Sequence, residues 1–247
     1  MTRLTRLLTA AASFAVAITL TSNLSATAAA GKSIGPHQKA CVSNRGYCVR
    51  SDDFGSYTWL YNSGGQGFRV TKSTASRSWV TADPNIFRGW QWGIGTKGGW
   101  PLKVSAEGAP RADLTVSQAR KGMYNAQLAM WFSTYPNEKT QANGAELMIW
   151  LSHPNVAAGG PAVRVDGTDW SVTEWMTGGH GVSWHLIIFA HTTPISSVKG
   201  LWLNPFVRIA ESHGWVKPSW YWTGVNAGFE LWQGGQGLGV SYFNVNS

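Results

Sequence analysis

Charge is scarce in this chain: only 13% of its 247 residues are Asp, Glu, Lys or Arg, against roughly 25% in an ordinary soluble protein. That excludes a disordered chain and a coiled coil, both of which are charge-rich. Acids are scarcer than bases, 12 against 20. The formal charge of +8 therefore reflects missing acids as much as abundant bases. The bases are scattered, with no run of four, so the basic balance does not point to nucleic acid. Cysteine is limited to Cys41 and Cys48. No H-E-x-x-H and no G-x-S-x-G occurs, and the six His residues are dispersed, so no metal site and no serine nucleophile is predicted. Beyond residue 30 no stretch approaches 18 consecutive apolar residues, so no membrane-spanning helix is expected there.

The first 30 residues read differently. Arg3 and Arg6 precede an apolar, Ala-rich stretch from Leu7 to Leu20, and A-x-A signals follow at Ala26–Ala28 and Ala28–Ala30. This is the pattern of a secretory leader, too short and too Thr/Ser-broken for an anchor. Cleavage is expected near Ala28–Ala30, leaving residues 31–247 as one domain of net charge +6 in the extracellular medium. In that oxidising setting Cys41 and Cys48, which bracket the turn-like Ser43-Asn44-Arg45-Gly46, are expected to form a local hairpin disulfide. Zinc would need further ligands, and no nearby His pair supplies them.

Glycine and tryptophan are plentiful instead, 29 and 15 residues. Strand signals dominate: Gly67–Lys72, Tyr124–Phe132, Ala145–Leu151, Trp184–Ala190 and Gly237–Phe243, separated by Gly, Asn and Pro clusters. One helix is predicted over about 203–214, with Asn204 as cap, Pro205 at its first position and Gly214 just past its end. Many strands and one helix predict an all-β jelly-roll sandwich of two antiparallel sheets with the helix packed outside. Gly93–Gly98 matches G-x-G-x-x-G but precedes no helix pattern, so it reads as a turn. Gly234–Gly239 reads the same way.

Of six glutamates, Glu107, Glu138, Glu174 and Glu211 lie in loop-like or polar settings and are expected to be solvated. Glu146 and Glu230 lie in apolar strands. Alternation puts Glu146, Met148 and Trp150 on one face, and Gly228, Glu230 and Trp232 on one face. A buried carboxylate without a partner is costly, and neither strand supplies a base, although an ion pair from elsewhere is the alternative. Two carboxylates among Trp rings suit a polysaccharide: the rings stack on sugar faces, one carboxylate attacks the anomeric carbon and the other protonates the leaving oxygen. Trp92, Trp131, Trp150 and Trp232 are candidates for stacking, whereas Trp184 and Trp202 are expected to fill the core. His185, on an apolar strand, is expected to be a satisfied core or cleft residue.

Glu146-Leu147-Met148-Ile149-Trp150 and Ala227-Gly228-Phe229-Glu230-Leu231-Trp232 resemble the two catalytic strands of glycoside hydrolase family twelve, secreted β-1,4-glucan hydrolases that include cellulases and xyloglucanases. Gly67–Thr71, Pro84–Gly89 and the single helix add to the likeness, which runs from about Tyr47 to the C-terminus. The resemblance implies a jelly roll, retention of configuration, no cofactor, Glu146 as nucleophile, Glu230 as general acid/base and Met148 in the cleft. It also implies departures. An Asp usual beside the nucleophile stands here as Ala129, a stacking Trp as Phe54, a His as Gln91 and an Asn as His180, and the cysteines are closer together than usual. The expected partner is a polysaccharide and the expected state a monomer, with no nucleic acid and no membrane after leader removal. A glycosidase of other linkage or exo mode, or a non-catalytic carbohydrate-binding protein on the same sandwich, are the alternatives.

Overall fold

The computed structural model describes residues 31–42, 46–62, 64–91, 93–96, 98–106, 110–136, 142–179 and 181–246. The leader, Glu107, Glu138, and two of the expected sugar-binding residues, Trp92 and His180, lie outside the described residues. In chain order the strands are β1 (Lys32–Ile34), β2 (Lys39–Val42), β3 (Tyr47–Arg50), β4 (Thr58–Asn62), β5 (Phe68–Ser73), β6 (Ala75–Ser76), β7 (Asn85–Gln91), β8 (Ile94–Gly95), β9 (Leu102–Lys103) and β10 (Arg111–Ser117). They continue as β11 (Gly122–Tyr124), β12 (Ala126–Ser133), β13 (Ala145–Ser152), β14 (Ala162–Val165), β15 (Thr168–Gly179), β16 (Val182–His191) and β17 (Ser197–Trp202). Helix α1 (Asn204–Ser212) precedes β18 (Tyr221–Gly228), β19 (Leu231–Gly234) and β20 (Gly239–Asn246).

Two large sheets form the sandwich. One has the order β1-β4-β5-β20-β10-β17; the larger runs β14-β15-β16-β13-β12-β18-β7-β3-β2, with β8 and β9 attached. The main core lies between them, where Ile34, Leu60, Leu114 and Phe243 of the first sheet meet Ile86, Leu128, Leu147 and Val225 of the second. The expected jelly roll is present, with two differences. A third, three-stranded sheet (β11-β19-β6) stands beside the others. And β13 pairs with β16 in parallel, not antiparallel.

Ala145–Ser152 is buried at every position because both faces of β13 are covered. Leu147, Ile149 and Leu151 fill the sandwich, while Met148 and Trp150 join Ala129, Ile188 and Ala190 in a second cluster on the opposite, cleft face. The predicted strand over Tyr124–Phe132 is interrupted at Asn125, where the chain passes from the small sheet (β11) to the large one (β12).

Helix α1 lies within the predicted span, and its cap falls one residue earlier than expected. Leu203, not Asn204, is its cap, with no side-chain cap bond, and Pro205 follows in the first turn. Leu203 is fully buried and its N–H donates to the Pro110 carbonyl at 3.1 Å, so the core sets where the helix starts. Phe206 packs edge-on against Trp170 and Phe189, each at 5.1 Å. Gly214 ends the helix at φ +77°, a left-handed conformation suited to glycine.

The Cys41–Cys48 disulfide forms across directly opposed positions of the β2–β3 hairpin. Gly93 turns the chain between β7 and β8, and glycines 234, 235 and 237 shape the β19–β20 connection. No described helix is long and apolar enough to cross a membrane.

Candidate active site

On the cleft face, register fixes the neighbours of Glu146. It stands opposite Trp131 on β12 and Leu186 on β16. Trp131 stands level with Gly224 of β18. Glu230 follows six residues later in the same chain segment, past the end of β18. Along a flat sheet that offset alone would separate the two positions by about 20 Å. Both nonetheless line one cleft of about 500 Å³, together with Arg50, Asp52, Asp83, Trp131 and Trp184. The sheet therefore curls over its own concave face, helped by the break at Phe229–Glu230, where the chain leaves the large sheet for the small one.

That break corrects the expectation of one continuous strand from Ala227 to Trp232, yet the alternation survives it. Ala227, Phe229 and Leu231 enter the main core, whereas Trp232 packs with the cleft cluster. The reason is that the pairing continues on the same register. Ala82 opposes Leu231 and Asn85 opposes Gly228, which puts Asp83 level with Glu230. On the other side Tyr124 opposes Leu231 and Gln127 opposes Gly228, which puts Asn125 level with Glu230 as well.

Asn125 is fully buried and holds Glu230 twice. Its Oδ1 accepts the Glu230 backbone N–H at 2.8 Å, and its Nδ2 donates to the Glu230 carboxyl at Oε2. The same Nδ2 reaches Gln127 Oε1 at 3.4 Å. Arg50, itself buried at the end of β3, pairs with Asp52. Burial lowers the Arg50 pKa, and the charges of Asp52 and Asp83 oppose that fall.

Burial also pushes all three central carboxyls upward. Glu146, only 7% exposed, is raised well above the usual range, first by burial, then by the charges of Glu230 and Asp83. The Trp184 indole N–H lies close enough to oppose this, short of a hydrogen bond of ordinary geometry. Glu230 rises to about 8 through burial and the Asp83 charge, with Asn125 pulling it back. Asp83 rises to about 7 through burial and the Asp52 charge, opposed by Arg50. The Asp83 charge raises Glu230, and the charges of both raise Glu146, so this buried cluster holds protons near neutrality and Glu146 must give up its own before it can act as a carboxylate.

The remaining expected residues divide. Met148, Trp150 and Trp232 are not among the residues lining the cleft: Met148 and Trp150 are buried in the second cluster, where Trp150 meets Trp232 edge-on at 6.4 Å. Phe54 lines the cleft and stands 56% exposed at its rim. Gln91 is buried on β7, and no described residue bonds its side-chain amide. Trp184 belongs to the cleft, not the main core: it lines the site, tilted against Trp131 at 5.7 Å. Trp202 is 38% exposed and lies under the Arg111 guanidinium, so it is not a core residue either. Glu174 and Glu211 are not solvated. Glu174 binds His185 Nδ1 at 2.6 Å, which satisfies that histidine, and Glu211 pairs with Arg208 at 2.7 Å. Asp83, Asn125 and Arg50 were not singled out in the sequence. Asp-Pro before an apolar strand was the available signal for Asp83.

A jelly-roll sandwich whose concave face carries two buried carboxyls among indole rings defines a glycoside hydrolase. The chain belongs to glycosyl hydrolase family 12, whose family model matches residues 47–247. It is similar in structure to a metagenome-derived family 12 endoglucanase (31% identity, 87% of this chain and 97% of the other, TM-score 0.80). It is also similar to endoglucanase cel12A from Rhodothermus marinus (30% identity, 87% and 98%, TM-score 0.79). In sequence it is similar to a probable cellulase, Cel12b, of Mycobacterium tuberculosis, 27% identical over 131 residues, 50% of this chain and 81% of that protein.

Proposed function

We propose that this glycoside hydrolase is a secreted, endo-acting, retaining enzyme that cleaves β-1,4-glucan backbones, of cellulose-type β-glucan or xyloglucan, with residues 31–247 as its single, monomeric catalytic domain behind a leader. The observation that carries the reading is the pair Glu146 and Glu230, drawn from distant strands to line one tryptophan-rich cleft. The likeness to proteins described as endoglucanases and a cellulase supports the substrate class. The exposed Phe54 at the rim supports an open groove that accepts a chain internally. The disulfide supports export.

In this mechanism Glu230 gives its proton to the glycosidic oxygen as that bond breaks, and the Glu146 carboxylate forms a bond to the anomeric carbon. Glu230, now a carboxylate, takes a proton from water. The resulting hydroxide-like oxygen displaces Glu146 and restores the starting state with the original anomeric configuration. Trp131 and Trp184 flank Glu146 and are placed to stack on the sugar next to the broken bond.

The test is hydrolysis of barley β-glucan, carboxymethylcellulose, xyloglucan and xylan, with product sizes measured and the first-formed anomer read by proton NMR. Short oligomers of mixed length, released first as the β-anomer, are expected, with Glu146→Gln and Glu230→Gln each lowering the rate by several orders of magnitude. Full activity of either variant, or first release of the α-anomer, refutes the reading.

A further inference from the structure

We infer that Asp83 is a positioning carboxylate for Glu230, a third acid of the site supplied by the segment before β7, that keeps the proton on the acid/base residue. This rests on the assignment of Glu230 as acid/base. The first support is placement. Asp83 lies level with Glu230 on one side as Asn125 does on the other, fixed by the Ala82–Leu231 and Asn85–Gly228 pairings. Backbone bonds close this pairing: Phe229 N–H to the Pro84 carbonyl at 3.2 Å, and Leu231 N–H to the Ala82 carbonyl at 2.9 Å. Directly opposed side chains on one face of an antiparallel pair have Cβ atoms about 4.5–5.5 Å apart. Gly228 permits this approach, since a Cβ there would sit 2.2 Å from the Pro84 carbonyl oxygen.

The second support is how Asp83 is held. Its Oδ2 accepts from Asn85 Nδ2 at 3.2 Å, and its Oδ1 lies at the limit of reach of Gln127 Nε2, 3.5 Å. Gln127 in turn meets Asn125, and Asn125 meets Glu230. A line of buried amides thus runs between the two carboxyls, Asp83–Gln127–Asn125–Glu230. The Asp83 backbone N–H donates to the Asp52 carbonyl at 2.9 Å, tying it to the Arg50–Asp52 pair.

The charged groups facing Asp83 are Arg50 and Asp52 from β3 and its exit, Glu146 from β13, and Glu230 itself. Asp53 is occupied elsewhere, accepting from the His37 N–H and the Thr58 hydroxyl. Asp83 carries no bonding role in the two displacements. Ionised, it opposes the loss of the Glu230 proton before the glycosidic oxygen takes it, and favours the return of a proton from water. Position 129 offers no carboxyl: Ala129 is fully buried between its cross-strand neighbours Met148 and Asn226. The third acid approaches from the Glu230 wall instead.

The experiment compares pH profiles of kcat/KM on soluble β-glucan for the full chain and for Asp83→Asn, Asp83→Ser and Asp83→Glu, with melting curves as a fold check. Asp83 titrates near 7, so the wild type and D83N are expected to agree within about twofold at pH 5, where Asp83 is neutral. Above pH 7.5 D83N is expected to fall progressively below wild type, to about tenfold by pH 9, a downward move of the alkaline limb by about one unit, and D83S is expected to follow it. Asp83→Glu is expected to restore the limb. On an aryl cellobioside whose leaving group needs no proton, the defect is expected to vanish. A D83N or D83S profile superimposable on wild type, or an equal loss at every pH, overturns the inference. Glu146→Gln and Glu230→Gln measured beside them separate the two claims. Their activity would remove the underlying reading, whereas inactive glutamate variants with an unmoved D83N profile would remove only this one.

Discussion

Asn125 grips Glu230 at both ends, accepting its backbone N–H and donating to its carboxyl. One fully buried amide therefore fixes both where the acid/base side chain starts and where it ends. A side chain held this way spends little of its time in unproductive rotamers.

Asn125→Ala removes this grip and also the bond that lowers the Glu230 pKa. The alkaline limb of the rate profile is expected to move upward from about 8, opposite in sign to the Asp83→Asn shift, while kcat at pH 6 falls about tenfold to a hundredfold through lost positioning. A pH series of kcat on β-glucan checks both effects.

Stability is expected to decline from acid to neutral pH. Asp83, Glu146 and Glu230 all hold their protons more tightly folded than unfolded. The folded state binds the extra protons between about pH 4 and 8, so stability is full at the acid end of this window and is lost as pH rises through it. Melting temperatures measured from pH 4.5 to 8.5 are expected to fall, and Glu230→Gln is expected to flatten the slope.

Gly228→Ala places a methyl group 2.2 Å from the Pro84 carbonyl oxygen, a rigid backbone atom. The strands must part, at a cost of roughly 2 kcal/mol or more, and Asp83 is carried away from Glu230. Lower melting temperature and lower kcat together, measured on the purified variant, are the expected pair. Unchanged stability would contradict the close approach.

The Cys41–Cys48 bond closes a short hairpin, with a sequence separation of 7. By loop-closure entropy it contributes about 2.5 kcal/mol. Replacing both cysteines by serine is expected to lower the melting temperature by about 5–10 °C and to leave KM for β-glucan unchanged, since neither cysteine lines the cleft. Calorimetry and initial rates test the two halves separately.

Local pattern carried the sequence reading furthest where a strand's neighbours did not matter. Alternation alone put Glu146 in the cleft, and Met148 and Trp150 in the cluster packed on the same side of β13. It held at Glu230 and Trp232 even across a strand break, because pairing continues on the same register. It failed where a third element decides. Trp184 looks like a core residue until Trp131 is placed beside it. Asp83 gains its place only when Ala82 meets Leu231, and the pairings of Glu174 and Glu211 depend on partners that polarity cannot name. The cap of α1 moved for the same reason, a buried Leu203 outweighing an intrinsic capping preference.

The parallel pairing of β13 with β16 has a kinetic consequence. A hairpin delivers an antiparallel neighbour at once, but β13 receives this edge only after β14, β15 and β16 have been laid down. Asn125 likewise waits for Glu230, 105 residues further along the chain. Folding routes rich in such distant contacts are slow. A nascent or truncated chain thus has no working subset of its catalytic groups, and hydrolytic power is expected to emerge abruptly, as the last stretch of polypeptide docks.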